Sequence, residues 1–312
     1  MLLGRASKME PKKILITGAG GFIGSQLCKY FAASNYKVIA YGAELTELMH
    51  SQIEFFVGRL PATQFHDLLQ QKQPEYLIHC AGGSSVTKSF LNPKKDFHDN
   101  VVVTEFLFDS LVRYSPATKV IFLSSGAVYG EPTTFPITEQ TLCHPISPYG
   151  YNKLLCELIC DKYYKLYKIS VSILRLFSIY GAGLKKQILW DFCCKAMNSS
   201  TIIMHGSGDE VRDFLHVDDL SRIIDRVLTK NKFTAEILNI ASGESINVKM
   251  LAEILRKKNK FTGKIAFNNR QRTGDPIKWV VDAGFINYLG IKKLISLEMG
   301  ISSYVAWFLA NR

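Results

Sequence analysis

The segment Thr17-Gly18-Ala19-Gly20-Gly21-Phe22-Ile23-Gly24 restricts the fold more than any other part of the chain. It follows a short apolar run, residues 13–17, that reads as a buried strand. It opens a stretch, residues 21–33, in which apolar residues recur at helical spacing. Gly18 permits a tight turn, Gly21 lets the backbone come close to a pyrophosphate, and Gly24 lets helix pack on strand. Free N–H groups and the positive end of the helix dipole then favour an anion at the helix start, beside Phe22 and Ile23. Glycines also mark plain turns. A strand before and a helix after supply the context that a dinucleotide loop requires.

The same alternation continues downstream. Strands are expected over 37–41, 53–57, 75–79, 119–124 and 170–176, with helices over 96–113 and 149–167. Apolar strands without strict alternation indicate a parallel sheet covered on both faces. Repeated strand–helix order gives an α/β class with a doubly wound, Rossmann-type parallel sheet. Beyond residue 180 the pattern loosens. Helices are expected over 185–198, 217–229, 247–258 and 296–309, and short strands near 202–204, 237–240 and 265–267. The expected division is a dinucleotide-binding domain over 12–180, to which later segments return, and a smaller C-terminal substrate lobe over 181–312.

Composition narrows the partners. Of 312 residues, 47% are hydrophobic, enough for a sizeable core, yet no apolar run approaches the ~18 residues of a membrane span. Residues 1–11 carry Arg5 and Lys8 but no long apolar stretch, so they read as a frayed terminus and not as a secretory signal. The formal net charge is +11. The cations are spread along the chain, which argues against nucleic acid and suits attraction of phosphorylated small molecules. Seven cysteines at irregular spacing form no zinc pattern and no disulfide framework, which fits reduced thiols in the cytoplasm and no metal site.

The end of the second strand usually carries an acid for the adenosine ribose diol. Here the chain reads Val38-Ile39-Ala40-Tyr41-Gly42, and Glu44 falls past the position. Without that acid a 2′-phosphate meets no repulsion, and Arg59 at the end of the third strand would attract one unless it is merely solvated. Both NAD and NADP stay open.

Tyr149 and Lys153 stand at i and i+4 at the start of a helix, on one face. A phenol ordinarily titrates near ~10, and a neighbouring ammonium favours its deprotonated form. Such a phenolate takes the proton of a sugar hydroxyl while hydride leaves; in reverse the phenol protonates a carbonyl. Ser125, after the strand over 119–124, would hydrogen-bond the reacting oxygen. The Tyr–Lys pair alone is an ordinary helical pair. The order glycine loop, Ser, Tyr, Lys makes it specific.

These residues resemble the extended short-chain dehydrogenase/reductase family, in its nucleotide-sugar epimerase/dehydratase branch, over about residues 13–290. Further segments carry the resemblance: His79-Cys80-Ala81-Gly82, Ser124-Ser125-Gly126-Ala127-Val128-Tyr129-Gly130, Leu174-Arg175-Leu176-Phe177-Ser178-Ile179-Tyr180-Gly181, Arg212-Asp213-Phe214 and Arg272-Thr273-Gly274-Asp275-Pro276. The resemblance implies that Gly18, Gly21, Phe22, Ile23, Gly24, Arg59, Ala81, Gly82, Asn100, Tyr149, Lys153 and Phe177 line the cofactor. It implies that Ser84, Ser125, Ser178, Arg212 and Arg272 meet a nucleotide-diphosphate sugar, with Ser125, Tyr149 and Lys153 catalytic. Two arginines suit a diphosphate because each donates paired N–H bonds; the alternative for Arg212 is a pair with a neighbouring Asp. The resemblance also implies a homodimer through the helices over 96–113 and 149–167.

Departures from the branch matter. Ser178 stands where an Asn is usual. Gly126 and Ala127 occupy the place of the Asp–Glu pair that dehydratases of the branch use, which disfavours 4,6-dehydration, and the Glu of decarboxylases is absent too. An epimerase, acting at C4 of the hexose, is the preferred expectation. An NADPH-dependent reductase of 4-keto-6-deoxy sugar nucleotides is the alternative, and a non-catalytic cofactor sensor of the same fold the distant one.

Overall fold

The computed structural model describes residues 10–44 and 52–312, so most of the leader lies outside the described residues. The first half runs β1 (Lys12–Thr17), α1 (Phe22–Ala32), β2 (Tyr36–Gly42), β3 (Ile53–Val57), α2 (Gln64–Lys72), β4 (Tyr76–His79), α3 (Val86–Leu91), α4 (Pro93–Phe97), α5 (Val103–Tyr114), β5 (Lys119–Ser125), α6 (Pro148–Tyr167) and β6 (Val171–Leu176). The second half runs β7 (Ser178–Tyr180), α7 (Gln187–Asn198), β8 (Thr201–Met204), β9 (Val211–His216), α8 (Val217–Lys230), β10 (Thr234–Ile240), β11 (Ser245–Asn247), α9 (Val248–Lys258), β12 (Lys264–Phe267), α10 (Gly284–Tyr288) and α11 (Leu297–Ala310).

Seven strands form one parallel sheet in the order β10-β6-β5-β4-β1-β2-β3. Every residue of β4 and β6 is buried, as expected of strands covered on both faces. On one face α1 and α8 pack through residues such as Leu27, Phe31, Leu220 and Ile224; on the other, α2, α5 and α6 contribute Phe65, Leu107, Phe108 and Tyr163. In α1 the buried positions 24, 27, 28 and 31 follow the helical period that the sequence displays. The strand order reverses between β1 and β4, and it is outside the carboxyl ends of such neighbours that ligands bind in open α/β sheets.

β10 is reached only after five intervening elements of the second half, yet it closes the edge of the main sheet beside β6. The remaining strands build two small sheets, β11-β9-β7 and β12-β8, over a core that includes Tyr180, Phe192, Leu251 and Tyr304. The single helix expected over 96–113 is in fact interrupted. α4 passes into a π-helical stretch, His98–Val102, before α5 begins. Side chains compete for its carbonyls: Asn100 Nδ2 donates to Asp96 O at 2.9 Å, and Thr104 Oγ1 to Asn100 O at 2.7 Å.

Candidate active site

Above the switch point the chain strips itself of side chains. Gly18 lies at φ +67°, and a Cβ there would stand 2.7 Å from the Ala81 nitrogen. A Cβ on Gly24 would stand 2.3 Å from the Gly18 carbonyl oxygen. Gly21 caps α1 with no side-chain acceptor, and no acid occupies the first turn, so the first N–H groups of the helix have no partner from a capping side chain. A bare, positively polarised cradle of this kind fits the pyrophosphate of a dinucleotide. Gly18, Gly21, Phe22, Ile23 and Gly24 all line one cavity of about 610 Å³.

β5 and α6 line the same cavity through Ser124, Ser125, Tyr149 and Lys153. Ser147 caps α6 by accepting from Gly150 N at 3.1 Å, and Pro148 occupies the first turn, which fixes where Tyr149 emerges. Ser89 Oγ accepts from Tyr149 N at 3.1 Å. The Tyr149 hydroxyl has no hydrogen bond to any described residue. One turn on, Lys153 is only 7% exposed. Its ammonium donates to Leu123 O at 3.0 Å and stands 6.0 Å from the centre of the Tyr149 ring, with no described carboxylate in an ion pair with it. Ser125 ends β5, and its Oγ accepts from Ala127 N at 3.1 Å.

The surroundings are set by burial. His79 is fully enclosed; burial, helped by the charge of Lys153, lowers its pKa to about 3, so the ring is neutral. Its Nδ1 shares a 2.8 Å hydrogen bond with Thr17 Oγ1, which ties β4 to β1 at the switch point. Burial raises the Asp96 carboxyl, opposed by a hydrogen bond from Asn152 at 2.7 Å and by the charge of Lys153.

The second half of the chain also lines the cavity, through Phe177, Ser178, Arg212 and Arg272 among others. Arg212 does not pair with a neighbouring Asp. Its guanidinium donates to the carbonyls of Val211 at 2.9 Å and Pro276 at 2.5 Å and lies 5.4 Å from the Trp279 ring centre. Burial lowers its pKa, opposed by Asp275, Glu210 and Glu131. Ser84 lines the cavity and accepts from Lys186 Nζ at 2.6 Å. The space around Gly126 is closed: a Cβ there would sit 2.7 Å from the Phe177 ring. Asn100 does not line the cavity; it lies buried behind Gly82, its Oδ1 without a partner. Arg59, Ala81 and Gly82 line a second cavity, of about 890 Å³, which shares Gly18 and Gly82 with the first. No cluster of metal-ligating side chains occurs among the described residues, and no described helix is long and apolar enough to cross a membrane.

Several site residues were not singled out from sequence. Glu157, one turn beyond Lys153, receives Ser124 Oγ at 2.5 Å and the Arg175 guanidinium at 3.0 and 2.7 Å. Two signals were readable: an acid at the next i+4 position, and a lone arginine in the otherwise uncharged strand β6.

Comparisons with known proteins identify the family. Residues 14–241 match the model of the NAD dependent epimerase/dehydratase family. A Methanocaldococcus jannaschii protein, provisionally named a UDP-glucose 4-epimerase, is 31% identical over 306 residues, covering 96% of this chain and 99% of its own. The structure of a Thermotoga maritima UDP-glucose 4-epimerase with UDP-glucose superposes with a TM-score of 0.87 at 27% identity, over 96% of this chain and 99% of that one. That of a Bacillus cereus UDP-glucuronic acid 4-epimerase, with UDP-glucuronic acid and NAD, gives 0.88 at 25% identity, over 96% and 100%. With its parallel seven-stranded sheet, glycine cradle and sugar-nucleotide relatives, the chain belongs to the NAD dependent epimerase/dehydratase family of enzymes.

Proposed function

We propose that this enzyme epimerises a nucleotide-diphosphate hexose at C4, with Tyr149 as the acid–base residue. The observation that carries the proposal is that one cavity is lined by the glycine cradle, by Ser125, Tyr149 and Lys153, and by Arg212 and Arg272. A nicotinamide dinucleotide, when bound in the cradle, would supply reversible hydride transfer. The protein does the proton work and the positioning. Tyr149 removes the hydroxyl proton, since its own hydroxyl is not engaged by the fold, and later gives it back. The Lys153 ammonium stands 6.0 Å from the centre of the Tyr149 ring and brings positive charge to the same cavity. Ser125 holds the reacting oxygen, and Phe177 bounds the cofactor side. Arg212 and Arg272 grip the diphosphate, which leaves the hexose free to present either face.

The two solved relatives described above carry UDP-sugars, the Bacillus cereus one together with NAD, and this supports the same two ligand classes here. Residues 12–180 with β10 would serve the dinucleotide, and most of 181–312 the sugar nucleotide. An exposed apolar stripe on α6, Tyr151, Leu155 and Leu158, is the face through which we expect a homodimer to form. The test is direct. Purified protein is given UDP-glucose, UDP-N-acetylglucosamine and their 4-epimers without reductant. Interconversion is the expected outcome. Stoichiometric loss of NADPH with a 4-keto sugar nucleotide, and no interconversion, would replace epimerase by reductase, the reading favoured by the lack of an acid at Gly42.

A further inference from the structure

The cations that are spread along the chain are gathered unevenly in space. α7 and α9 both begin at the candidate site, where Gln187, Ile188 and Val248 line the cavity, and both run away from it. β8 and β12 are parallel, pair Lys264 with Thr201 and Phe267 with Met204, and reach the cavity at Met204. Their starts therefore lie with the ends of the two helices, at the far pole of the second lobe, ~16 Å from the cavity by the length of the 11-residue α9. Three contacts close this pole. Lys264 N donates to Ser200 O at 2.9 Å, the Phe261 and Phe192 rings stand 6.3 Å apart, and Arg312 Nη1, just past α11, donates to Met197 Sδ at 3.6 Å.

Lys257, Lys258, Lys260, Lys264 and Arg312 are all exposed at this pole and form no ion pair with any described residue. Glu253 and Asp191, the acids of α9 and α7, are already engaged, by Arg256 at 2.7 Å and by Lys195 at 2.6 Å. The dipole of α9 attracts cations to its last turn, which accounts for Lys257 and Lys258, but Lys260 and Lys264 lie outside any helix. Met197 and Leu309 stand among them, 44% and 47% exposed. Unpaired cations around exposed aliphatic side chains match a surface that is anionic outside and hydrocarbon beneath. A nucleic acid asks for an exposed ring on which its bases stack, and the Phe261 ring is half-buried against Phe192. We infer that this pole binds the surface of an anionic lipid bilayer, with the five cations over the head groups and Met197 and Leu309 between them. The chain lies on the bilayer without spanning it, and the residues lining the cavity stay uncovered, since none of them belongs to the pole.

Flotation of the full chain with vesicles tests this without reference to turnover. The vesicles are phosphatidylcholine alone or with about one-third phosphatidylglycerol, at ionic strengths from about 0.05 M to about 0.5 M. The expected result is at least about tenfold tighter binding to the anionic vesicles at low salt, with most of that gain lost at high salt. A cation near an anionic surface is worth roughly fivefold in affinity, so Lys257→Glu with Lys258→Glu should weaken binding by at least about tenfold. Lys292→Glu with Lys293→Glu is the same charge change placed before α11. It lies ~21 Å from the pole by the length of that 14-residue helix, beyond the ~10 Å reach of a charge at about 0.1 M salt, and should bind as the parent does. Met197→Ser with Leu309→Ser should weaken vesicle binding several-fold and leave binding of a single-stranded oligonucleotide unchanged. All six positions are exposed, and thermal melts of the variants check that the fold is kept. No preference for anionic vesicles, or an equal loss in the two charge-reversed variants, overturns the inference. An oligonucleotide bound more tightly than the vesicles at equal salt, or vesicle binding indifferent to Met197→Ser with Leu309→Ser, overturns the assignment to a bilayer. The pole lines no part of the cavity, so its failure leaves the epimerase reading standing.

Discussion

The Arg175 guanidinium and the Glu157 carboxylate meet through two hydrogen bonds, at 3.0 and 2.7 Å, with both side chains 4% exposed. The pair bolts α6 to β6, and Ser124 Oγ joins it from β5. It therefore holds the helix of Tyr149 and Lys153 against the strand of Ser125. Breaking such a pair leaves a buried charge without its partner. Glu157→Ala is expected to cost ~3–5 kcal/mol of stability, whereas Glu157→Leu combined with Arg175→Met would recover much of the loss. Urea unfolding of the single variants and the double variant measures this. A single variant as stable as the parent would show that the pair does not hold α6.

Tyr149→Phe should reduce turnover by ~10²–10⁴-fold, the range of general acid–base catalysis. Its melting temperature should stay close to that of the parent, because the hydroxyl has no hydrogen bond to any described residue. Lys153→Met should lose both, since its ammonium also holds Leu123 O. Steady-state kinetics with melts separate the two outcomes. Undiminished turnover in Tyr149→Phe refutes the proposed base.

Gly24→Ala places a methyl group against the Gly18 carbonyl, a main-chain group with no flexible side chain to yield. The loop must shift, at an expected ~1–3 kcal/mol, and dinucleotide affinity should fall with it. Thermal melts with and without NADP or NAD read both effects. A variant whose melting temperature rises with dinucleotide as much as the parent's does would show that the loop is not the cradle.

His79 makes stability depend on acid. Its pKa in the folded chain is about 3, against ~6.5 for a free imidazole. Between those values the unfolded chain takes up a proton that the folded chain refuses. Stability is thus fully present above ~6.5 and falls as the pH drops, by up to ~1.4 kcal/mol per pH unit, until the folded ring itself protonates. His79→Gln should flatten the slope measured between about pH 6 and pH 5. An unchanged slope would mean that burial of this ring is not what makes the fold acid-sensitive.

Leu158 is 59% exposed on α6, in line with Tyr151 and Leu155. If this stripe joins two copies, Leu158→Lys should yield a monomer with its fold intact. Analytical ultracentrifugation decides it, and a parent protein that sediments as a monomer removes the proposed dimer.

The main sheet was legible because its strands are mostly apolar and its helices keep a clear period. β1, β2, β3, β4, β5 and β6 all lie where those patterns put them, to within a residue or so at the ends. β7, β9 and β11 were not foreseen, nor was α2; β7 and β11 are three residues long, and β9, with Arg212 and Asp213 in it, is held by pairing with β7 and β11 instead of by an apolar pattern of its own. The break between α4 and α5 was hidden for another reason. Apolar spacing runs on through residues 97–103, and the irregularity comes from where the Asn100 and Thr104 side chains bond. In the site, the glycines and the Tyr–Lys spacing announce themselves by type and distance along the chain. Glu157, Ser89 and Asn152 matter through partners 18 to 60 residues away, which no local pattern records. Arg212 shows the same limit: its nearest partners are carbonyls, which every residue possesses.

The Phe177 ring fills the space in which a side chain at position 126 would lie. The resemblance puts the acids of water-eliminating relatives at this very turn. Here such an acid cannot be introduced alone. Gly126→Asp would collide with an aromatic ring that itself packs against Tyr129 and Trp279, so the change would damage the enzyme before it conferred anything. Two coordinated replacements, at 126 and 177, would be needed, and the first has no benefit without the second. The proposed restriction to epimerisation would then rest on volume as well as on charge, because the Phe177 ring closes the turn to an added side chain.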